Sequence, residues 1–280
     1  MITTQKLDRP SHRSRLMATA AALVAIVGLT LYSTPANPST KHLRASATKP
    51  TVVLVHGAWA DSSGWNAVVT RLREKGYPVF APANPLRSLH GDSAYIASIL
   101  ETIEGPIVLV GHSYGGSVIT NAAEGNPNVK ALVYIAGFAP EVGESTLDLV
   151  GEDSLVPTSI EFRPFPPGGE FDVDVYIKQS RFRRTFAGDL TREKAARLAV
   201  AQRPAALPAG GGQSEATAWK SIPSWYLIAL QDNTIDPDSQ RFMAERAGAR
   251  IIEVDSSHVA MISHPARTVA LIVRAAKATD

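Results

Sequence analysis

The residues that could do chemistry here begin with a serine set between glycines, Gly111-His112-Ser113-Tyr114-Gly115, which fits the pattern G-x-S-x-G. An apolar run, PIVLVGH (106–112), precedes the serine and reads as a buried strand. YGGSVITNAAEG (114–125) follows and reads as a helix that starts directly from it. Strand, serine, helix is the context of a nucleophile elbow. A tight turn lifts the hydroxyl out of the line of the strand, and small neighbours prevent clashes. Gly111 and Gly115 supply that smallness, while Gly116 lets the helix approach the sheet. The helix N-terminus also aims backbone N–H groups at developing negative charge. Ser113 is therefore the candidate nucleophile.

A serine hydroxyl needs a base to take its proton. Of seven histidines, His12 and His42 lie in an N-terminal segment set aside below. His56 and His112 adjoin glycines at strand ends and could line the site, but stand too close to the elbow in chain order to be the expected base. His90 lies in a loop with no supporting feature, and His264 starts a helix before Pro265. His258, in EVDSSHVAM after the last strand, lies at the carboxyl edge of the sheet, where ligand-facing groups gather in open α/β folds. It is the candidate base. A carboxylate to orient it should fall between 113 and 258 in the order Ser, Asp or Glu, His. Asp232, ending the strand SWYLIALQD (224–232), is favoured over Asp236 and Asp238, which suit helix capping, and over Asp255, which suits a local bond to backbone. For the oxyanion, Tyr114 N–H is one expected donor. The loop VHGAWADSSGW (55–65) supplies the other, Ala58 N–H, with Trp59 as the adjacent option.

Positioning these groups requires a sheet whose strands all end on one edge. Short apolar runs at 51–57, 77–82, 106–112, 129–138, 224–232 and 249–255 alternate with helical patterns at 64–76, 92–105, 114–125 and 264–277, with Asp92 the expected N-cap of the second helix. That rhythm predicts an α/β fold with a mostly parallel sheet and helices on both faces. It breaks between Phe138 and Ser224, a Pro- and Gly-rich stretch with the helix-like TREKAARLAVAQRP, which reads as an inserted cap over about 139–222. The 280-residue chain then divides into residues 1–47 and a catalytic domain over 48–280.

Charge splits at the same boundary. Residues 1–49 carry a net +6 and the remainder a net −4, so the overall +2 says nothing of a nucleic-acid surface, and no nucleic-acid partner is expected. Arg181, Arg183 and Arg184 read as a solvated helix face. Basic residues precede a 17-residue apolar run, Leu16–Tyr32, followed by small residues with A-x-A-like sites near Ala36 and Ala45-Ser46-Ala47. Residues 1–47 read as a signal peptide and linker, giving an exported protein, periplasmic or secreted. The alternative is an uncleaved anchor, the one route to a membrane. The chain has no cysteine, which removes thiol catalysis and disulfides.

Taken together, VVLVHGAWADSSGW, VLVGHSYGGSVIT, ALVYIAGFAP, WKSIPSWYLIALQDNTIDPDSQRFMAERAGA and VDSSHVAMISHP resemble the α/β-hydrolase superfamily. More narrowly they resemble the small-esterase branch of bacterial aromatic-ester esterases, plant methylsalicylate esterases and hydroxynitrile lyases. The resemblance covers about 51–277. It implies a serine hydrolase that cleaves carboxylic esters through an acyl-serine intermediate, with no metal or organic cofactor. By motif it carries the nucleophile onto Ser113, the acid onto Asp232, the base onto His258 and the oxyanion donors onto Ala58 and Tyr114. Cap residues Phe162, Phe165, Phe171, Tyr176, Phe182 and Phe186 are candidates to line a pocket for an apolar or aromatic small-molecule ester. The alternatives keep the triad but act on amides, lactones or carbon–carbon bonds, or cleave cyanohydrins with an added cap lysine, for which Lys178, Lys194 and Lys220 are candidates. A non-catalytic ligand-binding protein on the same fold is the third.

Overall fold

The computed structural model describes residues 49–169 and 172–278. The N-terminal segment read as a signal peptide and linker lies outside them, as does Phe171. In chain order, the first half alternates β1 (Thr51–Val55), α1 (Asn66–Glu74), β2 (Val79–Phe80), α2 (Leu89–Glu101), β3 (Ile107–His112), α3 (Tyr114–Ala122) and β4 (Val129–Ile135). There follow α4 (Thr146–Leu149), α5 (Val156–Ser159), β5 (Ile160–Pro164), β6 (Val173–Ile177), α6 (Gln179–Phe186), α7 (Arg192–Ala201), β7 (Ala205–Ala206) and α8 (Leu207–Gly211). The alternation then resumes with β8 (Ser224–Ala229), α9 (Pro237–Arg246), β9 (Arg250–Val254), α10 (Ala260–Ser263) and α11 (Pro265–Lys277).

Six strands form one wholly parallel sheet in the order β2-β1-β3-β4-β8-β9. Their near-continuous apolar runs follow from burial on both faces. Val52, Leu54, Val108, Val110 and Val133 pack toward α1 and α11. The alternate residues Val53, Val55, Leu109, Leu132 and Tyr134 pack toward α2, α3 and α9. The chain runs outward from β1 to β2, then crosses back so that β3 lies on the other side of β1. The exits of β1 and β3 therefore flank a topological switch point, where open α/β sheets form their binding crevice.

Between β4 and β8, strands β5, β6 and β7 form a separate antiparallel sheet, β5-β6-β7. Helix α7 matches the helical pattern there, but the sheet was not legible, because IEFRP and VDVYI are short and only partly buried. One cap differs from expectation. The N-cap of α2 is Ser88, whose Oγ accepts from Gly91 N–H, so the helix begins ahead of Asp92. Asp92 sits buried in the first turn instead. Among the described residues, no helix is long and apolar enough to cross a membrane.

Candidate active site

Ser113 occupies the turn between β3 and α3 with φ 54° and ψ −128°, a backbone conformation that costs a non-glycine residue about 1–3 kcal/mol. The neighbouring strand exit holds it there. Ser113 N–H points at the carbonyls of Ile135 and Ala136, at 3.3 and 3.2 Å. Its own carbonyl accepts from Gly116 N–H at 2.8 Å and Phe138 N–H at 3.1 Å. Glycine is required where backbones meet. A Cβ on Gly111 would stand 2.5 Å from the Gly115 carbonyl oxygen, and one on Gly57 only 2.6 Å from Ser113 Cβ.

The loop after β1 is fixed just as closely. His56 Nδ1–H donates to the Gly57 carbonyl at 2.9 Å, while Nε2 accepts from Asn84 N–H at 2.9 Å. Burial holds the His56 pKa below its ordinary value, which suits a neutral ring with one donor and one acceptor. Trp59 has a positive φ of 59°, and both of its donors are committed to the cap. Its backbone N–H goes to the Arg203 carbonyl and its indole N–H to the Val175 carbonyl, each at 2.9 Å. Trp59 N–H is thereby committed away from the alternative role as an oxyanion donor. Tyr114 opens α3, so its N–H has no partner within the helix.

Asp232 and His258 meet across the ends of β8 and β9. His258 Nδ1 stands 2.6 Å from Asp232 Oδ2, both side chains fully buried. A carboxylate can only accept, so Nδ1 carries the hydrogen and Nε2 keeps the basic lone pair. That Nε2 is buried and hydrogen-bonded to no described residue, Ser113 included. Asp232 is held by three further donors. Oδ1 accepts from the N–H groups of Thr234 and Ile235, and Oδ2 accepts from Gln240 Nε2 at 2.8 Å. Asp236 caps α9, as expected. Asp255 is exposed and accepts from the Gln231 side chain rather than from local backbone.

His112 links the serine turn to His258. Its Nε2–H donates to the His258 carbonyl at 3.0 Å, and the two rings lie 4.7 Å apart. Burial, reinforced by the neighbouring His258, pushes the His112 pKa well down. Phe186 of α6 packs against His258, the two ring centroids 5.0 Å apart. No sequence signal marked His112, Phe186 or Gln240 for these roles, because each depends on an element folding back over the sheet edge.

Ser113, Ala58 and Tyr114 open onto one cavity of about 290 Å³. Its aromatic lining is Trp59, Tyr114, Phe138 and Phe162. Of the cap aromatics, Phe162 alone reaches it among the described residues. Phe182 and Phe186 are buried in the core instead, and Phe165 and Tyr176 lie under Arg87 and Arg163. His56 and His112 do not line it. Lys178, Lys194 and Lys220 are exposed and do not line it either, so the cyanohydrin alternative lacks its lysine there. Among the described residues, no group of three His, Asp or Glu side chains is placed to hold a metal ion.

A parallel sheet that ends in a strained serine turn beside its switch point, with a carboxylate–imidazole pair on later strands, defines an α/β hydrolase. The chain belongs to the alpha/beta hydrolase family, which residues 52–271 match. It is 28% identical over 236 residues to a pyrethroid hydrolase of Sphingobium wenxiniae, covering 77% of this chain and 84% of that one. A carbendazim hydrolyzing esterase of a Nocardioides species is 36% identical over 111 residues, 35% of this chain and 46% of the relative. The crystal structure of a pyrethroid hydrolase from Sphingobium faniae matches with a TM-score of 0.67 and 25% identity, over 82% of this chain and 98% of that one. These relatives are named as hydrolases and an esterase, and this chain is an ester-cleaving hydrolase.

Proposed function

We propose that the protein hydrolyses small-molecule carboxylic esters through an acyl-serine intermediate. Ser113 Oγ attacks the ester carbonyl while His258 Nε2 takes its proton, and Asp232 stabilises the resulting imidazolium. The N–H groups of Ala58 and Tyr114 receive the oxyanion. Collapse breaks the bond to the alcohol, which leaves with the proton from His258. Water, deprotonated by His258, then attacks the acyl-serine and frees the acid. Hydrogen bonds between nucleophile and base commonly tighten only with substrate in place, which fits an Nε2 with no partner among the described residues.

The observation that carries this reading is the cavity lined by Ser113, Ala58 and Tyr114, which supports a hydroxyl and two backbone donors acting on one ester. Relatives named for hydrolysing pyrethroids and carbendazim support a small ester as substrate, and the aromatic walls support an apolar or aromatic one. Hydrolysis of a short-chain aryl ester tests it. Ser113→Ala should lower kcat by about 10⁴-fold or more while the protein stays folded. Full activity in that variant rules the mechanism out.

The domain reading completes the proposal: residues 48–280 form one hydrolase domain with a cap over about 139–222, exported by the segment 1–47. The basic and apolar pattern of that segment supports it. N-terminal sequencing of protein recovered outside the cytoplasm should begin after residue 36 or 47, and an intact Met1 there contradicts cleavage.

A further inference from the structure

Eighteen of the described residues line the cavity beside Ser113, and none of these is charged. Apart from Ser113 itself, only Trp59, Tyr114, Thr146 and Thr234 bring an N–H or O–H side chain to its walls. Each of these hydrogens is already committed elsewhere. Trp59 Nε1–H goes to the Val175 carbonyl at 2.9 Å, and Tyr114 O–H to buried Asp92 Oδ2 at 2.7 Å. Thr146 Oγ1–H goes to the Gly210 carbonyl at 2.8 Å, and Thr234 Oγ1–H to the Thr185 carbonyl at 2.7 Å. All four acceptors belong to the protein, and three of the four bonds reach the cap or lie within it. The side-chain donor left is the Ser113 hydroxyl, which the reaction spends on the ester together with the Ala58 and Tyr114 N–H groups.

Resting on the ester-hydrolase reading, we propose that Trp59, Tyr114, Thr146 and Thr234 determine specificity by withholding their hydrogens. The cavity then selects esters whose buried portion carries no charge and no hydrogen-bond acceptor beyond the scissile ester. An acceptor that leaves water and finds no donor bears its full desolvation cost, and a carboxylate without a cation bears far more. Discrimination of this kind is steep, because neither partner can relax to supply the missing bond. It is also one-sided. The threonine oxygens keep lone pairs, so a donor on the substrate meets a partner where an acceptor does not.

Three 1-naphthyl esters of matched length test this: 6-methylheptanoate, 6-oxoheptanoate and hemiadipate, which differ only in a terminal isopropyl, acetyl or carboxylate group. The same three end groups placed on the alcohol side of a butyrate ester cover the opposite orientation. On the side that enters the cavity, kcat/KM should fall by about tenfold or more for the ketone and about 1000-fold or more for the carboxylate. Leu147→Arg adds a cationic donor at the cavity edge, where Leu147 is 64% exposed. It should raise the ratio of carboxylate to isopropyl turnover by about tenfold or more. Equal kcat/KM for the three end groups in both series, or an unmoved ratio in Leu147→Arg, overturns the proposal. If instead turnover of the isopropyl ester is undiminished in Ser113→Ala, the ester-hydrolase mechanism itself fails, a result that the end-group comparison cannot imitate.

Discussion

Asp232 accepts four hydrogen bonds, two on each carboxylate oxygen, from Thr234, Ile235, Gln240 and His258. An asparagine there is frustrated in either orientation, because its NH₂ must face two N–H donors. Turned toward His258, it forces the ring hydrogen onto Nε2 and removes the base. Turned away, it opposes the backbone donors of Thr234 and Ile235. Asp232→Asn should therefore lose about 10⁴-fold in kcat and about 1–3 kcal/mol in stability, read from ester turnover and urea unfolding. More than a tenth of the wild-type rate in that variant would show that Asp232 does not set the tautomer. The places of Ser113, Asp232 and His258 at strand ends were each legible in the sequence, because a serine flanked by glycines and polar residues after strands stand out against apolar runs. Gln240 was not legible. It lies within α9, and only the return of that helix against β8 brings it to Asp232 while its Oε1 accepts from Ala229 N–H.

The contact between β3 and α3 holds the turn that carries Ser113. Gly111 on the strand faces Gly115 and Gly116 on the helix at backbone distance, so the first turn of α3 rests directly on the sheet. Gly111→Ala would place a methyl against the Gly115 carbonyl, moving either the strand or the helix that carries Tyr114 N–H. A loss of about 1–3 kcal/mol and a fall in kcat at nearly unchanged KM are expected. Gly64→Ala is the control, since its added carbon meets Met261 Cε at an ordinary 3.6 Å. Comparable behaviour of the two variants would remove the close approach from the account. Parallel strands were readable because burial on both faces demands continuous apolar runs. The cap sheet was not, since its strands are partly exposed and lack that pattern. The start of α2 was misplaced because Ser88 and Asp92 both suit an N-cap by type, and backbone geometry alone chose between them.

Across the whole molecule, the parallel register delivers the exits of β1, β3, β8 and β9 to one edge, joining residues far apart in the chain. The order of the motifs along the sequence implied that convergence. The distances, the shape of the cavity and the cap's commitment of Trp59 required the fold. Two histidines behind this edge tie its stability to pH. Burial depresses the pKa of both His56 and His112 below 6.5. The unfolded chain therefore takes up protons at these positions before the folded one does. Their stabilising contribution is present above about pH 6.5 and is lost as pH falls toward the folded pKa values. The loss should approach about 1.4 kcal/mol per pH unit for each histidine. Urea unfolding at pH 7.5 and 5.5 should show lower stability at 5.5, with Asn in place of His56 or His112 flattening the difference. A stability independent of pH over that window would contradict the burial of neutral rings.

Covalent trapping reads the reactivity of a single oxygen, Ser113 Oγ. Intact and peptide mass spectrometry after treatment with a fluorophosphonate should find a single adduct per chain, on Ser113. Asp232→Asn should label far more slowly, and Ser113→Ala should not label at all. A folded, ester-cleaving protein that remains unlabelled, or carries its adduct on another residue, would contradict Ser113 as the nucleophile.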